Sequence, residues 1–310
     1  MLVNRKTGEK IEVTVSGSQK FLYRNCFGRI ILKILIRPFI TKVGGWFLKR
    51  RISKKRIPKF IKEANINVDD YIVDNIKSYN DFFIRKIKEG RRVIDDDVNH
   101  LIAPCDSKLS AYKIEENSVF KIKDSYYRVE DLLKNKDLAN EFIGGNLLIF
   151  RLTVDDYHRY SYPASGKKGK NIHIKGVFHT VNPIALEKYN FYKTNSREYT
   201  ILETNEFGKM VMVEVGAIMV GKIKNHHQEY EFERGEEKGY FEFGGSTIVL
   251  ITKNNIKIDD DIIINTNYGD ETIVKLGEKV GELNYWKYEI FISFFFFNKD
   301  ISLLLWYNLW

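Results

Sequence analysis

The amino-acid sequence predicts an α+β protein in which N-terminal helices precede a β-rich body. The segment from Phe21 to Leu48 alternates apolar runs with regularly spaced bases, as a surface helix does. After about residue 90, short extended segments are separated by Gly, Asp and Asn, and Lys209–Ala217 has the strongest strand pattern. We therefore expect a basic, helical, membrane-associating region over 1–90, a β-rich catalytic domain over 91–283, and an aromatic tail over 284–310.

The positive charge of the chain is concentrated near its start. The 310 residues carry 50 Lys and Arg against 41 Asp and Glu, for a net charge of +9. Thirteen of the bases lie between Lys20 and Phe60, where no acidic residue occurs, so the rest of the chain is net negative. This length excludes a peptide hormone or minimal binding module, and the local charge favours an anionic partner.

Three bases in the N-terminal region, Arg29, Lys33 and Arg37, recur at intervals of four and would form one stripe of a helix that Pro38 interrupts. Apolar residues occupy the other faces. A helix lying in a membrane interface has this profile, and so does a helix that packs on the protein core with a solvated basic edge. The segment favours neither. Nucleic-acid binding is a weaker interpretation, because no recognised nucleic-acid motif accompanies the bases.

The remaining elements follow in order. A second helical region is predicted over Ile57–Ala64 and Val73–Lys88. The predicted strands, all rich in apolar and β-branched residues, are Lys108–Tyr112, Asn146–Leu152, Lys209–Ala217, Tyr240–Phe243 and Ile248–Ile251. The tail over Tyr285–Trp310 is apolar but interrupted by polar residues, so we expect no spanning helix there. An interfacial anchor, a buried strand pair and a non-native sequence end are all compatible with it.

Candidate chemistry concentrates at three positions. Two glycines precede Ser246, and they allow backbone angles at which the Gly245 carbonyl could be held close to the Ser246 hydroxyl, although such a pair is usually only a turn. His158 follows a predicted strand and could act as a general base on that hydroxyl, or it could be structural. Asp106 follows a proline and could orient His158 as the third member of a triad, or bond only to local backbone.

Several short blocks of the sequence occur together and in order: Asn80–Lys86, Ala103–Asp106, Asp156–Tyr160, Val181–Pro183, Val215–Gly221 and Phe243–Thr247. In this combination the chain resembles the phosphatidylserine decarboxylases, from about Asn80 to Leu283. Each block is weak alone, but six in register make chance a poor explanation.

The resemblance implies a proenzyme that cleaves itself between Gly245 and Ser246. Ser246 would become a covalent pyruvoyl group, which is the cofactor, and no metal is expected. Asp106 and His158 match the Asp–His pair of the family and would drive the proton transfers. The pyruvoyl group would form a Schiff base with phosphatidylserine, and decarboxylation would release phosphatidylethanolamine. Two departures stand out: Ser161 occupies a position where the family commonly has a second histidine, and Ser107 one where it commonly has glycine.

The partners implied are phosphatidylserine, an anionic membrane surface, and the two cleaved chains, 1–245 and 246–310, held together as a heterodimer. A homodimer is left open, and no nucleic acid is expected. Two cysteines without disulfide or metal spacing fit a reducing setting, so we expect a peripheral protein on the cytoplasmic face of the cell membrane. Two alternatives are a pyruvoyl decarboxylase of a soluble amino acid and a non-catalytic lipid-binding relative.

Overall fold

A computed structural model describes residues 1–13, 15–122, 125–180, 191–217, 222–244 and 246–284. The blocks Val181–Pro183 and part of Val215–Gly221, the residue Gly245, and the tail over Tyr285–Trp310 lie outside the described residues. The α+β prediction is confirmed, because helices dominate the first part of the chain and strands dominate the remainder.

The helices, in chain order, are α1 (Gly17–Arg24), α2 (Cys26–Leu35), α3 (Pro38–Leu48), α4 (Ile57–Glu63), α5 (Tyr79–Phe83), α6 (Val129–Leu133), α7 (Lys136–Asn140), α8 (Phe191–Thr194) and α9 (Asp260–Asn267). Short 3-10 turns cover Arg51–Arg56, Val68–Asp70 and Glu116–Ser118.

The strands are β1 (Leu2–Asn4), β2 (Lys10–Ile11), β3 (Tyr71–Ile72), β4 (Lys86–Ile87), β5 (His100–Ile102), β6 (Ser107–Lys113), β7 (Val119–Ile122), β8 (Ser125–Arg128), β9 (Asn146–Leu152), β10 (Arg159–Ser161), β11 (Gly166–Lys168), β12 (Ile172–Ile174), β13 (Arg197–Thr204), β14 (Gly208–Gly216), β15 (Ile223–Asn225), β16 (Tyr230–Phe232), β17 (Glu237–Phe241), β18 (Ser246–Thr252), β19 (Ile256–Ile258), β20 (Glu271–Val274) and β21 (Lys279–Leu283).

One large sheet organises the described part of the body. Its strand order is β16-β11-β13-β14-β18-β9-β6-β20-β1-β2, with β12 added beside β13. Neighbours pair antiparallel except β1 with β20, which are parallel. Every residue of β9 and β18 is buried, which explains why their sequences are almost continuously apolar. A smaller antiparallel sheet, β10-β17-β15, carries the chain toward Ser246.

The N-terminal helices begin where the sequence supplies caps. Ser16 and Gln19 form a capping box at α1, and the Asn25 side chain accepts from two amides at the start of α2. Pro38 opens α3 as its first residue, a position where the missing N–H is not needed. Gly28 is required where α2 meets α1, because a Cβ there would lie 2.1 Å from the Phe21 carbonyl oxygen.

The helix predicted over Val73–Lys88 is wrong for most of its length. Only α5 is helical, and it begins at its cap Ser78, whose side chain accepts from the Asp81 amide. Before it, Asn75 has a left-handed φ of 62°, which a continuous helix does not allow. After it, β4 leaves the helix to pair with β3. Tertiary pairing therefore overrides the helical propensity of this segment.

The first residues of the chain belong to the body rather than to the helical region. β1 lies beside β20, and Arg5 donates to the carboxylates of Asp259 and Asp261. The helices are thus inserted between β2 and the rest of the fold. Within the described residues, no helix combines the length and apolar character needed to cross a bilayer.

Candidate active site

Ser246 lies at the start of the central strand β18, between the ends of its two neighbours. It pairs with Leu152 at the end of β9 and with Gly216 at the end of β14. The side chain is fully buried, and its hydroxyl has no hydrogen-bond partner among the described residues. A buried hydroxyl without a partner carries a desolvation cost of about 1–3 kcal/mol. Such a group is rare in a native structure and marks a candidate reactive atom.

His158 is fully buried just before β10, and its two ring nitrogens have different surroundings. Nδ1 lies 3.0 Å from the main-chain oxygen of Asp156, while Nε2 is buried and has no partner among the described residues. A carbonyl oxygen only accepts, so we assign the hydrogen of the neutral imidazole to Nδ1. Burial lowers the pKa of His158 to about 3. The ring therefore offers an unprotonated Nε2 at neutral pH.

An aromatic cluster joins His158 to the residues that precede Ser246. The ring centroid of Phe83, in α5, lies 3.9 Å from that of His158 and 5.0 Å from that of Phe243. Tyr79 packs edge-on against Phe243 from the other end of α5. The main chain makes a second connection, because the Phe241 amide donates to the His158 carbonyl at 2.9 Å. The histidine and the segment leading to Ser246 are thus packed together.

A buried ion pair fixes the loop that carries His158. Lys108, on β6, donates to the Asp156 carboxylate at 2.6 Å and to the Thr153 hydroxyl. The same carboxylate accepts from the Thr153 amide at 2.7 Å. These bonds hold the main chain of Asp156, whose carbonyl oxygen in turn orients the His158 ring.

Asp106 and His158 make no hydrogen bond to each other within the described residues, where the expected triad would have one, and a catalytic role of Asp106 stays a prediction. Its carboxylate accepts from Arg92 Nε at 2.9 Å, from Lys275 Nζ at 3.2 Å and from the Leu276 amide at 3.0 Å. Burial raises the pKa of Asp106, but the Arg92 hydrogen bond and the Lys275 and Arg92 charges outweigh it and leave the pKa below its usual value. The physical reason for the difference is that two cations and an amide occupy the carboxylate, so a main-chain oxygen orients the histidine.

Arg85 adds a buried positive charge near this loop. Its guanidinium stacks over the Tyr71 ring at 4.2 Å and donates to the carbonyl oxygens of Phe82 and Asp155. After burial, which is the largest cause, the Arg85 charge is among the causes that lower the pKa of His158. The guanidinium therefore helps to keep the imidazole neutral.

The N-terminal region reaches the segment before Ser246 directly. Lys49, just after α3, lies 2.8 Å from both carboxylate oxygens of Glu242. The Asn80 side chain accepts from the Phe243 amide at 3.2 Å, and Ser53 accepts from the Tyr79 amide at 2.9 Å. The helical region and the candidate active site are thus linked by polar contacts as well as by aromatic packing.

Sequence reasoning singled out Ser246 and His158, whose catalytic roles stay predictions, but it missed the residues that pack around them and hold their loops. Phe83 stands inside the block Asn80–Lys86, which could have drawn attention to it, and Lys108 is a charge in an otherwise buried strand. Nothing in the sequence distinguishes Arg92 or Lys275 from other surface cations. Ser161 lies beside the Asp106 turn, with its amide donating to the Pro104 carbonyl at 2.8 Å.

Comparison with known proteins identifies the family of the chain. A sequence model of the family described as phosphatidylserine decarboxylase matches residues 79–282. Phosphatidylserine decarboxylase proenzyme 2 of Clostridium acetobutylicum is 46% identical over 271 residues, covering 87% of this chain and 93% of that protein. The proenzymes of Ruminiclostridium cellulolyticum and Fusobacterium nucleatum are 40% and 38% identical, each covering 90% of this chain and 96% of the relative. The chain therefore belongs to the phosphatidylserine decarboxylase family and is a decarboxylase, a carboxy-lyase.

Proposed function

We propose that this chain is a proenzyme that cleaves itself between Gly245 and Ser246 and then converts phosphatidylserine to phosphatidylethanolamine. The observation that carries the proposal is the pair of buried, unpartnered atoms, Ser246 Oγ and His158 Nε2. One is a nucleophile and the other an unprotonated base, and Phe83 and Phe243 pack between their segments.

Self-cleavage would begin when His158 Nε2 accepts the hydroxyl proton of Ser246. Ser246 Oγ would attack the Gly245 carbonyl carbon, and the C–N bond would break as His158 gives that proton to the nitrogen, leaving an ester and a free amine. Removal of the Ser246 α-proton would then break the Cβ–O bond and release the Gly245 carboxylate. Water would replace the nitrogen of the resulting dehydroalanine, releasing ammonia and leaving a pyruvoyl group at position 246.

The fit of the site to that group rests on its surroundings. The Ser246 side chain is fully buried, and its hydroxyl meets no hydrogen-bond partner among the described residues, so no other group competes for the position that the pyruvoyl carbonyl would take. The pyruvoyl group supplies a reactive carbonyl and an electron sink for loss of CO2. His158 Nε2 would accept a proton from the ammonium group of the substrate and, after CO2 is lost, would give that proton to the substrate carbon.

A membrane surface is the proposed setting of the reaction. Large apolar side chains of α2 and α3 are exposed, among them Phe27 at 65%, Ile30 at 59%, Phe39 at 70% and Trp46 at 58%. One face of α2 packs on the core through Leu32. The exposed apolar side chains, with the exposed bases Lys33, Arg37 and Lys42 among them in the sequence, favour contact of the outer face with a membrane interface. We propose that the protein is peripheral and binds the anionic cytoplasmic face of the cell membrane.

The experiment that tests the function is the intact mass of freshly purified protein together with CO2 release from phosphatidylserine vesicles. Two chains, 1–245 and 246–310, should be found in one complex, and the smaller should lack a free amino group at its start. Ser246→Ala should remain a single chain without activity. An uncut wild-type chain that still releases CO2 would overturn the proposed mechanism, and a cut chain inactive on the lipid would overturn the proposed substrate.

A further inference from the structure

A pocket of about 470 Å³ lies between the basic 3-10 turn with α4 and the segment that leads into α5. Its walls are mainly apolar and include Ile57, Ile61, Val73, Ile76 and Phe82. Ile61, Val73 and Ile76 pack against the buried residues Ile57 and Phe82 in a small apolar cluster separate from the main core. The pocket is therefore a preformed apolar site in the helical region.

Three cations, Arg51, Lys54 and Lys55, also line this pocket, and all three are exposed to solvent. Among the described residues, none of them has a carboxylate within 4.0 Å, whereas neighbouring Lys49 pairs with Glu242 and Lys59 with Glu63. Of the residues that the structure describes, no acidic one lines the pocket. Its charge is thus uniformly positive and free to meet an anion.

The pocket and the candidate active site lie on different sides of α5. Phe82 lines the pocket, while the adjacent residue Phe83 is fully buried and stacks on His158. Neither His158 nor Ser246 is among the lining residues. A ligand in the pocket would therefore not occupy the site where Ser246 reacts.

We infer that this pocket binds one molecule of a non-reacting anionic phospholipid, with its phosphate among the three cations and one acyl chain along the apolar walls. Three cations beside apolar walls favour a ligand that has both an anionic group and an acyl chain. A soluble anion would leave the apolar walls unused, and an uncharged lipid would leave the cations unpaired. The exposed apolar side chains of α3 and of Ile52 beside the pocket would bring its mouth to the bilayer. The inference rests on the proposed membrane setting but not on the proposed chemistry.

The test is calorimetric titration of the purified protein with dihexanoyl phosphatidylglycerol below its micelle concentration. This lipid has neither the amino group nor the carboxylate that decarboxylation requires, so its binding is independent of the reaction, and Ser246→Ala should bind it as the wild type does. We expect one saturable site per chain. Replacing Arg51, Lys54 and Lys55 by Gln should weaken binding about tenfold or more. Val73→Trp, which fills the pocket without changing charge, should do the same.

The matched control replaces Lys33, Arg37 and Lys42 by Gln, because these exposed bases lie in the same region but do not line the pocket. This variant should bind the lipid like the wild type. Equal weakening by both triple variants would mean diffuse attraction and overturn the site, as would unchanged binding in a folded Val73→Trp. If the pocket variants instead raised only the KM for short-chain phosphatidylserine, the pocket would belong to the reacting lipid and the inference would be wrong.

Discussion

Nδ1 of His158 lies 3.0 Å from the main-chain oxygen of Asp156, two residues earlier in the chain. The imidazole is therefore oriented by its own loop, and that loop is held by the Lys108–Asp156 ion pair. The carbonyl oxygen holds the hydrogen on Nδ1 and leaves Nε2 free to accept a proton, while burial keeps the ring neutral, which is the arrangement a general base requires.

His158→Gln should prevent self-cleavage in practice. The amide can still donate to the Asp156 carbonyl but cannot accept a proton near neutral pH, so cleavage should slow by about 10²–10⁴-fold. Denaturing gels of protein sampled after synthesis measure the cut fraction. His173→Gln, on β12, is the control and should be cut normally. Normal cleavage of a folded His158→Gln would assign the base to another residue.

The buried imidazole should also make stability depend on pH. The folded pKa of about 3 lies below the unfolded value of about 6.5, so the unfolded chain binds this proton first as the pH falls. The contribution of the neutral, buried His158 to the free energy of unfolding is fully present above about pH 6.5. It is lost as the pH falls toward 3, by about 1.4 kcal/mol per pH unit. Urea unfolding of uncut Ser246→Ala at pH 6, 5 and 4 should show a steeper loss than Ser246→Ala/His158→Gln. Parallel slopes would contradict the lowered pKa.

Asp106→Asn should act mainly through stability. The change keeps an acceptor for the Leu276 amide but removes the charge that pairs with Arg92 and Lys275, and should lower the free energy of unfolding by about 2–3 kcal/mol. Urea unfolding in the Ser246→Ala background measures it. The double variant Asp106→Asn/Arg92→Gln should lose less unfolding free energy than the two single variants added together. The two side chains share one interaction, so that interaction can be lost only once. An Asp106→Asn chain of wild-type stability that fails to cleave would restore Asp106 to the chemistry.

Lys49 and Glu242 should influence the rate of self-cleavage, because Glu242 lies three residues before the proposed cut. Lys49→Gln should slow cleavage a few-fold, and added salt should slow the wild type in the same direction, since the lysine is partly exposed. The time course of cutting in cell-free synthesis provides the measurement. Arg50→Gln is the neighbouring control, and Lys49→Glu with Glu242→Lys should recover part of the rate. If Lys49→Gln and Arg50→Gln are cleaved at the same rate, the Lys49–Glu242 pair has no such influence.

The exposed apolar face of α3 should determine membrane affinity. Phe39→Ser with Trp46→Ser removes two large side chains that contribute little to the core, so binding to vesicles with anionic lipid should fall by about tenfold or more while the fold survives. Flotation measures the bound fraction, and circular dichroism checks the fold. Ile264→Ser with Tyr268→Ser, exposed apolar positions at the other end of the chain, serves as the control. Equal loss in both would argue against an α3-specific surface.

The sequence predicted the elements whose signal is local. β9 and β18 are recognisable because strands buried on both faces are continuously apolar. Ser246 stands out through the six blocks that occur in order, because two glycines before a strand are by themselves usually a turn. The partner of Asp106 was not predictable. Arg92 and Lys275 lie on opposite sides of it in sequence, and only the tertiary fold selects them over His158. The helix predicted over Val73–Lys88 failed in part for the same reason, since Lys86 and Ile87 form β4 and pair with β3, which precedes the predicted helix.

The position of Ser246 at the first ladder pair of β18 has a consequence for the cut protein. Residues after it are bonded to β9 on one side and β14 on the other through the length of the strand. A cut just before this strand would leave all of these strand pairings intact. The two products would therefore stay bound to each other from the moment of cleavage. Separating them would require removing β18 from between β14 and β9 in the large sheet. Mixing independently expressed halves should therefore not restore the enzyme. The second chain begins with a central strand of the sheet, which takes its place only while the precursor folds as one chain.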